Sequence, residues 1–207
     1  MNIIRDPLLR YASIKELHPT QITVGMREVG QKRQQWRSDG KKKRAELLGR
    51  HLVPVILGPK DCYYIVDHHH LVRALHDEGV KDVLVTVLEN LSGLGADAFW
   101  SVLDNRNLTH PYDAEGHRQA YDAIPRSVRD LIDDPFRSLA SELRRAGGFA
   151  KQTMPFSEFL WADFLRRQID RKLIARDFAL ASEKALKLAR APGANYLPGW
   201  CGPIPEE

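Results

Sequence analysis

Four consecutive residues, Asp67-His68-His69-His70, set a carboxylate and three imidazoles beside one another. Imidazole titrates near neutrality, so such a run can move protons, and it can also hold metals. The five residues before it, Cys62-Tyr63-Tyr64-Ile65-Val66, are aromatic, β-branched or Cys and suit a buried strand. Leu71, Ala74 and Leu75 follow at helical spacing, which predicts a turn from strand to helix at 67–70. The polar residues then stand at the mouth of a helix. Free backbone N–H groups and the helix dipole favour an anion there, often a phosphate. Consecutive residues point about 100° apart around a helix, which disfavours zinc on His68, His69 and His70 alone. No Cys-x-x-Cys or His-Glu-x-x-His string completes such a site. The plainer alternative makes Asp67 an N-cap and leaves the histidines in solvent.

Two other stretches carry chemistry. Residues 27 to 50 hold nine Lys/Arg (Arg27, Lys32, Arg33, Arg37, Lys41, Lys42, Lys43, Arg44, Arg50) against Glu28, Asp39 and Glu46. That local excess is larger than the +4 of the whole chain, so the remainder is slightly acidic. The segment, with Lys41, Lys42, Lys43 and Arg44 at its centre, reads either as a solvated helix face or as a patch for phosphates. Asp133-Asp134-Pro135-Phe136-Arg137-Ser138 offers two carboxylates able to hold Mg²⁺ and an arginine able to hold a phosphate. The capping alternative is favoured: Asp134 as N-cap, Pro135 at the first helical position, Arg137 paired with an acid.

These residues need a frame. Tyr11 to Leu17 and Gln21 to Val24 read as extended pieces, and a helix runs from Met26 to about Ser38, resuming from Lys41 to Leu48. Residues 52–57 and 62–66 form a hairpin across Gly58-Pro59-Lys60-Asp61, with Pro54 placing the first strand at an edge or an end. A helix from His69 to Asp77 ends at Gly79, and Asp82 to Leu88 is a further strand. Beyond Leu91 only helices are predicted, over 97–105, 114–123, 127–132, 138–145, a stripe at Phe156, Phe159, Leu160 and Phe164, and 172–191. The expected class is α+β, with a small mixed sheet in residues 1–91, a helical extension over 92–191, and an irregular tail over 192–207. Tyr196 and Trp200 dock that tail. The seam Ile174, Phe178, Ala181, Ala185 and Leu188 suits the body of the protein or a partner helix, hence a homodimer through the C-terminal helix.

The strand-turn-helix at Asp67-His68-His69-His70 resembles the phosphate-binding turn of the ParB/sulfiredoxin-like superfamily, whose members carry strings such as Asp-Gly-His-His-Arg there. Leu17-His18-Pro19-Thr20-Gln21-Ile22-Thr23-Val24-Gly25 and Asp134-Pro135-Phe136-Arg137-Ser138-Leu139-Ala140 resemble its ParB-like nuclease branch, and the likeness covers most of 11–166. His68 replaces the glycine of that string and Leu71 its arginine. Without that arginine a bidentate phosphate ligand is lost, and Arg73 or a residue of the basic segment upstream is able to substitute for it. The resemblance implies a phosphate held by Asp67, His68 and Arg73, with His69 and His70 as acid or base. It also implies Glu28 as a catalytic base, although an acid in a first helical turn also simply complements the dipole.

At 207 residues, 43% hydrophobic and 28% charged, the chain can bury a sizeable core. Two cysteines, Cys62 and Cys201, make no disulfide framework. The N-terminus holds no leader-like apolar core, and the longest clean apolar run, Leu52 to Leu57, cannot span a membrane, so a cytoplasmic protein is expected. Three functions fit: a nucleoside-phosphate binder that hydrolyses or transfers phosphoryl groups, with Mg²⁺ arriving on the nucleotide; a nuclease or DNA-binding protein using the basic segment; and a non-catalytic interaction module. The first is favoured.

Overall fold

The structure is a computed structural model that describes residues 8 to 203. The N-terminal residues read above for a leader, and the last four of the tail, lie outside the described residues. The chain is α+β. Its five-stranded sheet has the order β1-β6-β4-β5-β2, from β1 (Leu8–Ser13), β2 (Leu17–Pro19), β4 (Val53–Leu57), β5 (Tyr63–Ile65) and β6 (Asp82–Asn90). β1/β6 and β4/β5 are antiparallel, whereas β4/β6 and β2/β5 are parallel. Leu17, Val53, Val55, Ile65, Val83 and Val85 turn inward. They meet Val29 of α1 (Met26–Ser38) and Val72, Ala74 and Leu75 of α3 (His69–Asp77). Ile56 and Val66 form a smaller core with Phe99 and Leu103 of α4 (Ala96–Asn105).

The hairpin, the helix over His69–Asp77 and the break between α1 and α2 (Lys41–Arg50) agree with the sequence. β4 is central, which corrects the edge alternative for Pro54. That residue sits second in the strand, just before a register shift at Val55/Ile56, where a missing N–H costs the ladder least. The helices expected over 114–123 and 127–132 are absent. Asp113 accepts the backbone N–H groups of Glu115 (3.0 Å) and His117 (2.8 Å), and Gly116 takes φ +83°. A side chain that satisfies the backbone locally in this way competes with helix formation. Single 3-10 turns remain at Tyr121–Ala123 and Val128–Asp130, followed by β7 (Ile132–Asp133).

The last predicted helix is two. α7 (Arg171–Arg176) and α8 (Phe178–Arg190) divide at Asp177, whose carboxylate caps α8 through Leu180 N–H at 3.0 Å. Ala181, Ala185 and Ala189 pack in this chain's own core with α5 (Pro135–Arg145) and α6 (Ser157–Gln168). The tail docks: Gly199 O accepts Ala150 N–H and Pro198 O accepts Trp161 Nε1–H, both at 2.8 Å, whereas Tyr196 stays exposed. No helix among the described residues is long and apolar enough to cross a membrane.

A small parallel pair, β3 (Thr23–Val24) with β7, stitches the sheet unit to the helices. It delivers the start of α1 against the start of α5, so closely that a Cβ on Gly25 would meet Ser138 Oγ at 2.8 Å and its backbone N at 2.9 Å. Gly25→Ala is therefore expected to destabilise by about 2 kcal/mol through overpacking, a fall in Tm of several degrees. Gly30→Ala, also in α1, is the control, because a Cβ added there would meet nothing within 4 Å. That change is expected to be neutral or to stabilise by up to about 1 kcal/mol. Equal Tm values for the two variants would refute the close-approach argument.

Candidate functional site

The turn from β5 into α3 is built by strain and backbone bonds. His68 takes φ 67° and ψ 18°, a left-handed conformation, and its N–H donates to Asp67 Oδ1 at 2.6 Å. No side chain caps α3. His69 is buried, and its Nε2 accepts the N–H of Thr20 at 3.2 Å. His70 is buried too, and its Nε2 accepts the N–H of Gly25 at 2.9 Å. Both imidazoles thus serve as acceptors that hold the segment 20–25. His68 is half-buried, edge-on to His51 with centroids 6.1 Å apart. Burial draws its imidazole below the ordinary value, partly opposed by Asp67.

α1 brings Glu28 over this turn. Its Oε2 accepts the Ser141 hydroxyl at 2.6 Å, lies 3.6 Å from Arg137 Nη1 and 3.7 Å from His70 Nε2, while its Oε1 is 3.6 Å from Lys32 Nζ. Arg137 Nη1 also donates to Ser141 Oγ at 2.6 Å. The second amino group of Arg137 meets Glu158, whose other oxygen lies 2.6 Å from Arg144 Nε as an ion pair without hydrogen-bond alignment. Burial works to raise the Glu28 carboxyl. His70, Arg137, the Ser141 hydroxyl and Lys32 outweigh it and hold the group down at about 2. His70 itself is pushed to about 3 by burial and Arg137, so at neutral pH the cations beside Glu28 are Arg137 and Lys32.

These groups line one cleft of about 490 Å³ between the turn, α1, α5 and the entry to α6. Asp67, His68, His69, His70, Glu28, Lys32, Arg137, Arg144, Lys151 and Glu158 all face it. Other candidates do not line it. Arg73 donates to Asp77 (3.1 Å) and to Leu131 O (2.9 Å). Lys41, Lys42 and Lys43 are exposed at the start of α2, and Arg44 binds Trp36 O at 2.7 Å while lying over the Trp36 ring. Asp134 caps α5 through Phe136 N–H and meets Arg166 at 2.7 Å, and Asp133 accepts Met26 N–H at 2.8 Å. With both carboxylates so spent, that pair does not suit Mg²⁺. No group of three His, Cys, Asp or Glu able to hold a metal occurs among the described residues.

Sequence reasoning missed Ser141, Arg144, Lys151 and Glu158. A signal existed for two of them: Arg137, Ser141 and Arg144 recur at i, i+4 and i+7, one face of a helix.

The buried imidazoles make stability depend on pH. Burial holds His70 and His110 at about 3 and His69 well below 6.5. The folded chain refuses protons that the unfolded chain takes up below 6.5, so stability falls as pH drops from 6.5 toward 3. Glu28, held at about 2 against 4.5, adds a loss between 4.5 and 2. Asp134 opposes them. Burial, only partly offset by Arg166, raises it to about 6, so its contribution disappears as pH rises from 3.8 through 6. One carboxyl against three imidazoles leaves acid lability as the net result. The denaturant midpoint is expected to fall from pH 7 to pH 4.5, and to fall less in His110→Phe, whose ring keeps the tilted contact with Phe159, centroids 3.9 Å apart. A midpoint that does not change over this range would contradict the argument.

Residues 10–167 match the family described as "Putative ParB-like nuclease". The chain is also similar to a solved structure, the crystal structure of protein Atu1540 from Agrobacterium tumefaciens. Identity is 53%, the TM-score is 0.91, and the match covers 97% of this chain and 100% of that one. No curated protein matches. The family match runs from β1 almost to the end of α6, and so through every residue of the cleft's charged wall. The chain belongs to the ParB-like nuclease family.

Proposed function

We propose that the cleft binds the phosphate of a nucleoside phosphate at the open N-terminus of α3, and that Glu28 directs water onto it. The observation that carries this reading is the placement of the Glu28 carboxylate over the uncapped α3 mouth, in one cleft with Lys32, Arg137, Arg144 and Lys151. Backbone N–H groups at 69 and 70, Lys32 and Lys151 hold the phosphoryl oxygens. Arg137 and Ser141 keep Glu28 ionised and fixed. A water oxygen then attacks phosphorus as its proton passes to Glu28, while the P–O bond to the leaving group breaks and the departing oxygen keeps the bond's electron pair and takes a proton from solvent. His69 and His70 act as supports, because their Nε2 atoms already accept backbone N–H groups. Any Mg²⁺ arrives on the nucleotide. A cleft of about 490 Å³ has the size usual for a small-molecule ligand.

A second reading, cleavage of nucleic acid, draws on the family and on Lys41, Lys42 and Lys43, which form no ion pair among the described residues. Replacing the three by Gln is then expected to weaken DNA binding and flatten its salt dependence, while mononucleotide binding stays intact.

Calorimetry with AMP, ADP, ATP, CTP and a short DNA duplex identifies the ligand class. Glu28→Gln keeps size and hydrogen bonding but removes the base. Turnover of whichever ligand reacts is expected to fall by about 10²-fold or more, with affinity near normal. Full activity in that variant would remove Glu28 from the chemistry.

A further inference from the structure

Both arginines that face the cleft are already occupied by acids. Arg144 Nε lies 2.6 Å from Glu158 Oε1, and one amino group of Arg137 meets the other oxygen of the same carboxylate. The opposite amino group of Arg137 is taken by Ser141 at 2.6 Å and lies 3.6 Å from Glu28. The side chains of Arg137 and Glu158 are only 10% and 19% exposed, so water screens this Arg–Glu–Arg bridge little. Two cations remain for a ligand. They are Lys32, shared with Glu28 at 3.6 Å, and Lys151, which is exposed and makes no ion pair among the described residues.

We infer that Glu158 determines which charge of phosphate ester the cleft accepts. By occupying Arg137 and Arg144 it makes the site suit a singly esterified phosphate or a single phosphodiester, and repel oligophosphates. This rests on the phosphate-binding reading above and narrows its substrate class. Four cations (Lys32, Arg137, Arg144, Lys151) face three carboxylates (Glu28, Asp67, Glu158), a surplus of one positive charge. A ligand with one negative charge balances that surplus, and one with two exceeds it by a single charge. A free nucleoside triphosphate brings about twice as many, and each excess charge then meets a carboxylate in a half-buried cleft, where Coulomb interactions are several-fold stronger than in water. Specificity obtained by an opposing charge is a common device. The acid also sits in the first turn of α6, where the helix dipole favours it, so the bridge needs no ligand to persist. The shared chemistry, one phosphate with an ester bond, can come from a free nucleoside monophosphate or from a nucleic-acid backbone.

The test is calorimetry on the full chain without Mg²⁺, using AMP, a dinucleoside monophosphate and ATP. The wild-type protein is expected to bind AMP or the dinucleotide about 10-fold or more tighter than ATP, and whichever of the two binds better identifies the source. Glu158→Gln is expected to tighten ATP about 10-fold or more and AMP less than about 3-fold. Arg144→Gln, a milder change because that side chain is partly exposed, is expected to cost AMP less than about 3-fold, since its charge is already spent. Tighter wild-type binding of ATP than of AMP overturns the inference. So does an equal gain for both ligands in Glu158→Gln, which would make Glu158 a placeholder displaced by any phosphate. A loss of about 10-fold for AMP in Arg144→Gln overturns it as well. Failure of all three ligands to bind both the wild type and Glu158→Gln removes the phosphate reading itself, and the inference with it.

Discussion

The bond from Gly25 N–H to His70 Nε2 is the constraint on which the site depends. It is buried, so losing the acceptor leaves an unsatisfied N–H at a cost of about 1–3 kcal/mol. It also fixes the imidazole's tautomer, because a nitrogen that accepts an N–H carries no proton. Around it two further N–H groups at the start of α1 find acceptors. Met26 N–H goes to Asp133 and Arg27 N–H to Ser138, at 2.8 and 3.3 Å. α3, by contrast, has no side-chain cap. The two helix mouths lie side by side, and at α3 no side chain caps the N–H groups of His69 and His70.

The same bond explains why Glu28 lies where it does. Residue 28 is three positions beyond Gly25, about one helical turn, so anchoring Gly25 on His70 swings the carboxylate back over the α3 entrance. Gly25 makes this approach possible because a side chain there would collide with Ser138. One glycine therefore serves both the packing of α1 on α5 and the electrostatics of the cleft.

The local pattern made much of this legible. The strand-turn-helix at 67–70, α3 over His69–Asp77 and the break at Ser38-Asp39-Gly40 all follow from periodicity and from residues with one preferred conformation. The loop of 106–131 was not legible, because Asp113 and Gly116 act through a side-chain-to-backbone geometry that competes with helix propensity without leaving a periodic trace. In the site, residues close in sequence were visible and those assembled from a distance were not. Glu158 reaches Arg137 from a different helix, and no spacing rule links them. Arg137 itself reads as structural in the sequence because Asp134 and Pro135 have capping roles. They do cap α5, but the arginine one turn on still faces the cleft.

His68 shows what strain adds. The resembling turn string carries glycine there, and glycine enters the left-handed region without penalty, whereas a residue with a Cβ gives up about 1–2 kcal/mol. This chain keeps the left-handed backbone, φ 67°, with a histidine in place. Phe156, at φ 58°, repeats the feature at the N-cap of α6, and both residues line the same cleft. Strained residues persist where the surrounding structure over-determines them, and such places are often ligand clamps. At both positions the backbone conformation is what the fold requires. The side chain is what this chain adds to it, an imidazole at one helix entrance and a phenyl ring at the other.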